Sequence, residues 1–244
     1  MKILLAPSES KHSGGSENFN LNGLLFSELI PIRKEILHKY MNVLQKNNLD
    51  ELSKMFGLKK ESEINYYNKE IIHELTMKAI ERYTGVAFDY LNYQELKPNS
   101  KTYIDKNVIL CSNLFGFLRA DDMIPEYKLK QGSAVGELKP EKLYKAQSHL
   151  MEKLLAEEDI LDLRAGFYDK FYQPSKKYTT LKFIKEGKVV SHWAKAYRGI
   201  VLKEVAKAKI DNVEDFMKLS INNLSIEEIQ TKKNKTEIIY NILG

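Results

Sequence analysis

Charged side chains directly follow several short apolar segments of this sequence, as they do where loops build a ligand site on a sheet. The first such group follows the apolar residues 2–6 and is Pro7-Ser8-Glu9-Ser10-Lys11. Loops at the carboxyl ends of strands commonly hold ligands in proteins that combine sheets and helices. Glu9 and Lys11 would therefore bring opposite charges to one ligand loop, and the alternative is an ordinary solvated turn.

Two more groups carry arginine beside tyrosine or a carboxylate. Arg82-Tyr83-Thr84-Gly85 closes a long apolar-periodic segment, where the helix dipole and glycine termination already explain the arginine and the glycine. After the apolar residues 114–118, one loop carries Arg119, Asp122, Tyr127 and Lys128. This loop either presents a site on a rigid apolar frame or holds a structural Arg119–Asp122 pair.

The last two groups add further cations at the ends of strands. Arg164 ends the apolar segment 159–164. A predicted strand then delivers His192, and the start of the next helix delivers Lys195 and Arg198, which are neighbours on a helix surface. Cations near a helix start favour phosphate groups. We therefore expect Glu9, Lys11, Arg82, Arg119, Arg164, His192 and Lys195 to converge on one basic cleft.

Strands and helices that alternate irregularly must position these groups. The patterns predict strands at residues 2–6, 107–112, 159–164, 178–184, 188–193, 227–232 and 236–242, with an extended piece at 126–131. They predict helices at residues 26–47, 49–56 (ended by Gly57), 62–82, 140–157, 194–210 and 212–219. This order indicates an α/β or α+β fold, as a single compact domain over residues 1–244 with a mixed sheet.

Composition narrows the class of protein further. The chain of 244 residues has a formal net charge of +5, which permits an anionic partner without requiring one. Cys111 is the only cysteine, so no internal disulfide forms, and no apolar run approaches the ~20 residues of a membrane span. We expect a cytoplasmic protein without a membrane partner.

The five groups, in this order, resemble the signatures of the YaaA family of peroxide stress proteins. The resemblance extends from the first strand to the helix after Gly199, and the region after Asn212 matches only loosely. Lys128 stands where the family often has arginine. The resemblance implies a compact α/β fold with a positively charged cleft, DNA binding through an element similar to a helix-hairpin-helix, and protection against hydrogen peroxide linked to iron homeostasis. Residues 198–201 match that element in part.

Two functions from different classes fit these residues. A DNA-binding stress protein would contact phosphates, without reading sequence, through Lys11, Arg82, Arg119, Lys128, Arg164, Lys195 and Arg198. An enzyme acting on a small phosphorylated or nucleotide-like substrate would use Glu9 and His192 as catalytic groups. Further cleft residues in either case are Ser8, Tyr83, Thr84, Asp122 and Tyr127. DNA binding is the leading expectation. The enzyme is the alternative, and the carboxylates beside the cations support it because a nonspecific DNA groove does not need them.

No cofactor or resident metal is expected. Glu35-x-x-His38 and Glu70-x-x-His73 have the spacing of di-iron ligands, but the sequence offers no obvious four-helix bundle to complete such a site. The remaining histidines lack a ligand set for zinc. Cys111 lies inside an apolar strand, which favours a buried structural thiol over a peroxide sensor.

Overall fold

A mixed sheet crosses the protein, whose computed structural model describes residues 1–243. The strands are β1 (Lys2–Leu5), β2 (Thr76–Lys78), β3 (Val108–Ser112), β4 (Gly116–Arg119), β5 (Met123–Pro125), β6 (Ile160–Asp162), β7 (Tyr178–Lys185), β8 (Lys188–Val189), β9 (Leu224–Lys232) and β10 (Lys235–Ile242). The main sheet has the order β4-β3-β1-β6-β7-β10-β9, and β8 pairs with β7. Its five central strands, from β3 to β10, are parallel, whereas β2 and β5 form a separate antiparallel pair.

Helices pack around this sheet. They are α1 (Ile30–Lys46), α2 (Leu49–Phe56), α3 (Glu61–Tyr67), α4 (Ala79–Arg82), α5 (Val86–Leu91), α6 (Pro98–Asn107), α7 (Pro140–Leu155), α8 (Ser191–Ala208) and α9 (Val213–Lys218). The side chain of Asn48 accepts a hydrogen bond from the Glu51 amide at the start of α2, and Gly57 ends that helix in the left-handed conformation. The predicted single compact domain of mixed sheet and helices is confirmed.

The central strands are buried on both faces of the sheet. Ile3 and Leu5 pack into the larger apolar cluster, while Leu4, between them, packs into a second cluster with Cys111 and Tyr144. Residues of a strand alternate between faces, so the continuous apolar runs of β1 and β3 serve two cores. This explains why both strands were predictable from hydrophobicity alone.

The helix predicted over residues 62–82 is wrong. The chain forms α3, then β2 and α4, with irregular structure between them. Thr76 of β2 pairs with Pro125 of β5, and its backbone N–H donates to the Glu17 carbonyl. The apolar periodicity does reflect burial, since Ile64, Ile71 and Ile80 are all buried. Tertiary strand pairing therefore overrode a pattern that is also compatible with a helix.

One shorter prediction is also corrected. The strand expected over residues 188–193 ends at Val189, and His192 lies instead in the first turn of α8, where the Ala194 N–H already donates to the Val190 carbonyl. Residues 126–131, predicted as an extended piece, form neither a helix nor a strand. Their backbone bonds to two helices: the Lys130 N–H donates to the Met55 carbonyl, and the Lys128 carbonyl accepts from the Tyr40 hydroxyl.

Candidate ligand-binding cleft

A cleft of ≈ 520 Å³ lies at the carboxyl ends of β3, β1 and β6. Its walls include Asn113 after β3, Ser8 and Glu9 after β1, and Ala165 after β6. In the sheet, β3 lies on one side of β1, and β6, which comes later in the chain, lies on the other side. Open sheets bind ligands at such a change in strand order, because the loops that follow the two neighbouring strands diverge there.

The loop after β1 is held in place by hydrogen bonds before any ligand arrives. Glu9 Oε1 accepts from the Gln131 N–H at 2.8 Å, and Ser8 Oγ accepts from the Ser10 N–H at 3.1 Å. The Thr84 N–H donates to the Ser10 carbonyl, which fastens the loop to the segment before α5. Ser8, Glu9, Thr84 and Gln131 line the cleft, so this wall is preorganised.

Helix α8 supplies the cations of the cleft. A Cβ on Gly199 would lie 2.0 Å from the Ala87 carbonyl oxygen, so only glycine lets α8 lie this close to α5. Arg198 and Lys195, which precede Gly199, line the cleft beside Ala87 and Phe88. The close packing of the two helices therefore explains how these cations reach the ends of the strands.

Arg198 has an unusual environment. Arg198 is half-buried, and its Nε has no hydrogen-bond partner among residues 1–243. Burial lowers the pKa of its guanidinium, and the charge of Asp162 opposes that shift. Arginine remains charged in proteins, so the cleft contains a desolvated cation whose donor is not satisfied by the described protein. Lys195, by contrast, is exposed to solvent.

Asn113 presents a second unsatisfied group to the same cleft. The residue is 8% exposed, and its Oδ1 has no hydrogen-bond partner in the described chain. Burial raises the pKa of the neighbouring Tyr168, while hydrogen bonds from Gln131 and Asn113 act in the opposite direction. Buried polar atoms are rarely left without partners, so Arg198 and Asn113 mark positions that a ligand can satisfy.

Arg82 and Arg164 do not line the cleft. Arg82 is fully buried and donates to the carbonyls of Gly14 at 2.8 Å, Leu75 at 2.9 Å and Ile124 at 3.2 Å. Arg164 forms a 2.6 Å ion pair with Asp162. Both guanidinium groups therefore fasten loops inside the protein, where the described structure gives no phosphate access to them.

Arg119 and Asp122 form the structural ion pair that was one of the two alternatives for this loop in the sequence. Arg119 Nη2 lies 2.7 Å from Asp122 Oδ1 and donates to the Gly23 carbonyl at 2.8 Å. Asp122 also accepts from the Leu25 N–H, and burial raises the pKa of its carboxyl group. Neither side chain lines the cleft, and both hold the loop between β4 and β5 against residues 23–25.

Lys11 and Lys128 pack against the backbone of the loop after β1. Lys11 Nζ donates to the Ser8 carbonyl at 3.3 Å, and Lys128 Nζ donates to the Glu9 carbonyl at 3.4 Å. Lys11 Nζ also lies 3.9 Å from the centre of the Tyr127 ring. Burial, with the Lys128 charge as a smaller cause, lowers the pKa of Lys11 to about 7. These lysines support the loop rather than line the cleft.

Hydroxyl groups complete this support. Tyr127 shares hydrogen bonds of 2.8 Å with the hydroxyls of both Tyr83 and Ser112. Burial raises the pKa of Tyr127 to about 12, so its hydroxyl stays protonated at neutral pH. Ser112 ends β3, so the three hydroxyls connect the end of that strand to the segment before α5.

The structure brings together only part of the predicted site. The predicted residues that line the cleft are Ser8, Glu9, Thr84, Lys195 and Arg198. His192 is exposed on the first turn of α8 beside Trp193 and does not line the cleft with Glu9. Sequence reasoning missed Asn113 and Gln131. Asn113 directly follows an apolar strand, which was a usable signal, whereas Gln131 is brought in only by its contact with Glu9.

Other sequence motifs have different surroundings. Residues 198–201 lie within the continuous helix α8, so they form no hairpin. His38 Nε2 contacts the Asn42 amide at 3.1 Å, and His73 lies 3.2 Å from Glu70. Within residues 1–243, no three potential metal ligands gather at one point, and no helix is both long and apolar enough to cross a membrane. Burial raises the pKa of Cys111 to about 11, which disfavours its reactive thiolate.

Comparison with known proteins identifies relatives over nearly the whole chain. A family model described as peroxide stress protein YaaA matches residues 1–230. An uncharacterized protein of Campylobacter jejuni is 46% identical, with 100% of both chains covered. A UPF0246 protein of Corynebacterium glutamicum is 30% identical over 98% of this chain and 100% of its own, and one of Fusobacterium nucleatum is 25% identical over 96% and 97%.

Proposed function

The chain belongs to the peroxide stress protein YaaA family, and from that premise we propose that it serves the peroxide response by binding a small phosphorylated or nucleotide-like molecule in the cleft. The volume of ≈ 520 Å³ falls within the range of about 300–1,000 Å³ that small-molecule sites occupy. A cleft of this size accommodates one such molecule but does not enclose a DNA duplex.

Arg198 is the observation that carries this proposal. A buried charge is costly unless it is paired, and Arg198 Nε has no partner in the described protein. A phosphate oxygen would satisfy this donor and neutralise the guanidinium at the same time. The exposed Lys195 in the same wall would add a second positive charge.

Glu9 supports a ligand that is more than a simple anion. Its carboxylate lines the same cleft as Arg198, and it would repel a phosphate placed beside it. A ligand with hydroxyl groups, or one that exchanges a proton, gives this carboxylate a favourable role. In an enzyme of this kind Glu9 is the acid–base group, and His192 is not its partner because it lies outside the cleft.

DNA is the second candidate ligand, and one surface favours it. Trp193 is 44% exposed in the first turn of α8, with the exposed His192 and Lys195 beside it in sequence. Aromatic side chains next to cations bind single-stranded nucleic acid by stacking bases and neutralising phosphates. Binding of this kind would be nonspecific and strongly weakened by salt.

Calorimetric titration with inorganic phosphate and ribose 5-phosphate tests the proposed function. Arg198→Met keeps much of the apolar volume but removes the cation, and it should weaken binding of both probes about 10- to 100-fold, as expected for a charge-assisted hydrogen bond. Lys207→Met is the matched control, because Lys207 is an exposed cation of α8 that pairs with Glu204 outside the cleft. Equal binding by Arg198→Met and the parent protein would refute the proposal.

A further inference from the structure

We infer that the ligand is a nucleoside 5′-phosphate unit, with its base at Asn113, its sugar at Glu9 and its phosphate at Arg198. This inference rests on the proposed function, because it assigns the parts of the ligand within the same cleft. The three residues belong to three different walls: Asn113 follows β3, Glu9 follows β1, and Arg198 lies on α8.

The spacing of the strands sets the length of the ligand. Neighbouring strands lie about 4.8 Å apart, so β3 and β6, which flank β1, are separated by about 10 Å. The unsatisfied Asn113 Oδ1 marks the β3 end, and Arg198 lies near β6, close enough to feel the charge of Asp162. A bare phosphate spans only one end of this distance, whereas a nucleoside monophosphate extends from one end to the other.

The chemistry at the β3 end suits a nucleobase. Asn113 Oδ1 accepts hydrogen bonds, and a nucleobase offers N–H donors on its polar edge. Phe167, which is 39% exposed on the segment after β6, lines the same cleft next to Tyr168, the residue whose side chain contacts Asn113. Lys170 Nζ covers one face of the Phe167 ring at 3.9 Å. An aromatic ring at the edge of a cleft can stack on a base, whereas a bare sugar phosphate has no planar ring that could make this contact.

The middle strand places a carboxylate where the sugar would lie. Glu9 follows β1, between the two outer strands, and its Oε1 is oriented by the Gln131 N–H. Carboxylates at the carboxyl end of a strand accept hydrogen bonds from ribose hydroxyls in dinucleotide-binding sheets. This position explains why a carboxylate occurs in a cleft that also contains Arg198 and Lys195.

The test compares AMP, 2′,3′-dideoxy-AMP, ribose 5-phosphate and inorganic phosphate by calorimetric titration. We expect AMP to bind at least about tenfold more tightly than ribose 5-phosphate. Asn113→Ser and Phe167→Ala should each reduce this preference for AMP while leaving the affinity for ribose 5-phosphate unchanged. Phe167 is partly exposed, so its variant stays informative if the buried Asn113 does not tolerate substitution. Thermal unfolding of each variant verifies that it is folded.

The sugar contact has its own comparison. The parent protein should bind AMP about tenfold more tightly than 2′,3′-dideoxy-AMP, and Glu9→Ala should bind both equally. A 5′-phosphorylated oligo(A) probe, which keeps the 2′-hydroxyl of each ribose, distinguishes the sources of the unit. If the oligonucleotide binds more tightly than AMP, and its binding depends on Asn113 and Arg198, the source is the 5′ end of a nucleic-acid chain. If AMP binds more tightly, the source is a free nucleotide.

Two results would contradict the inference in different ways. If AMP and ribose 5-phosphate bind equally, and both depend on Arg198, the cleft is a phosphate site and the nucleotide assignment is wrong while the proposed function stands. If none of the phosphate probes binds in a manner that depends on Arg198, the proposed function fails together with the inference.

Discussion

Arg164 and Arg198 lie near the same buried carboxylate, and their surroundings are opposite. Arg164 forms a 2.6 Å ion pair with Asp162 and donates to the Tyr172 carbonyl at 3.1 Å. Burial acts to lower the pKa of Arg164, but the charge of Asp162, together with smaller contributions that include its hydrogen bond to Arg164, outweighs burial and raises the pKa. Arg198 feels Asp162 only at a distance, and burial lowers its pKa.

The difference separates an arginine that stabilises the fold from one that awaits a ligand. Arg164, like Arg82, uses its donors on groups of its own chain, and removing it would leave those groups unsatisfied. Arg198 Nε has no such group in the described chain, so removing Arg198 leaves no hydrogen-bonding group of the protein without its partner. The local sequence does not distinguish the two, because each arginine is followed within two residues by a glycine.

The largest expected effect is the loss of stability in Arg164→Ala. This change leaves the Asp162 carboxylate buried without its partner, which typically costs about 3–5 kcal/mol of unfolding free energy. Urea unfolding followed by circular dichroism measures it. The double variant Asp162→Leu with Arg164→Leu should recover part of the loss, since it leaves no isolated buried charge. A single variant as stable as the parent would show that the pair is not structural.

The complementary prediction concerns Arg198→Met. It should leave the free energy of unfolding unchanged or slightly higher, because it removes a desolvated cation, while phosphate affinity falls by about 1.5–3 kcal/mol. Urea unfolding and calorimetric titration on the same preparation measure the two quantities. A destabilisation as large as that of Arg164→Ala would remove the distinction between the two arginines.

The accuracy of the sequence-based predictions also differs from one region of the molecule to another. Strands β1 and β3 were predictable because burial on both faces of the sheet requires a continuous run of apolar residues. The segment 62–82 was not, because its apolar spacing fits a helix while Thr76 pairs across to Pro125. His192 was assigned to a strand because it follows a β-rich run, although α8 already begins at Ser191.

The candidate site was only partly predictable for a related reason. Glu9 and Lys195 are polar residues directly after or within regular elements, and that pattern is visible along the chain. Whether an arginine is satisfied depends on residues far away in sequence, as in the contacts of Arg82 with Gly14 and Ile124. The position of Asn113 after an apolar strand is visible in the sequence, but the missing partner of its Oδ1 is visible only in the structure.

Lys11 extends the comparison to pH, because it is a half-buried cation near the charge of a second lysine, Lys128. Its pKa is lowered to about 7 from 10.5, so between these values the unfolded chain binds the additional proton. The unfolding free energy therefore rises with pH from about 7 toward 10.5, and protonation of the buried amine destabilises the fold at lower pH. Relative to Lys11→Met, the parent should gain up to about 2 kcal/mol between pH 7 and pH 9.

Urea unfolding of both proteins at pH 6, 7, 8 and 9 measures this difference. Taking the difference between the two proteins cancels the titration of groups that they share. Parallel pH profiles would mean that Lys11 keeps its ordinary pKa, and the loop after β1 would then lie beside two charged lysines rather than one.

The smallest expected effect separates the exposed cation of the cleft from the half-buried one. If single-stranded DNA binds along α8, the logarithm of its affinity should fall linearly with the logarithm of salt concentration, and Lys195→Ala should reduce the slope by about 0.7 for the one phosphate lost. Arg198→Met should change the slope less, because a guanidinium inside a small-molecule cleft is poorly placed to meet a polymer backbone. For the affinity of AMP we expect the opposite ranking, with a larger loss from Arg198→Met than from Lys195→Ala. Lys195 is exposed, so salt screens its charge, whereas Arg198 is desolvated. Fluorescence anisotropy over a salt series, with Lys207→Ala as the control for general charge loss, provides both rankings. If Arg198 dominates for DNA as well as for AMP, the two ligands share the cleft, and the strand itself must enter it.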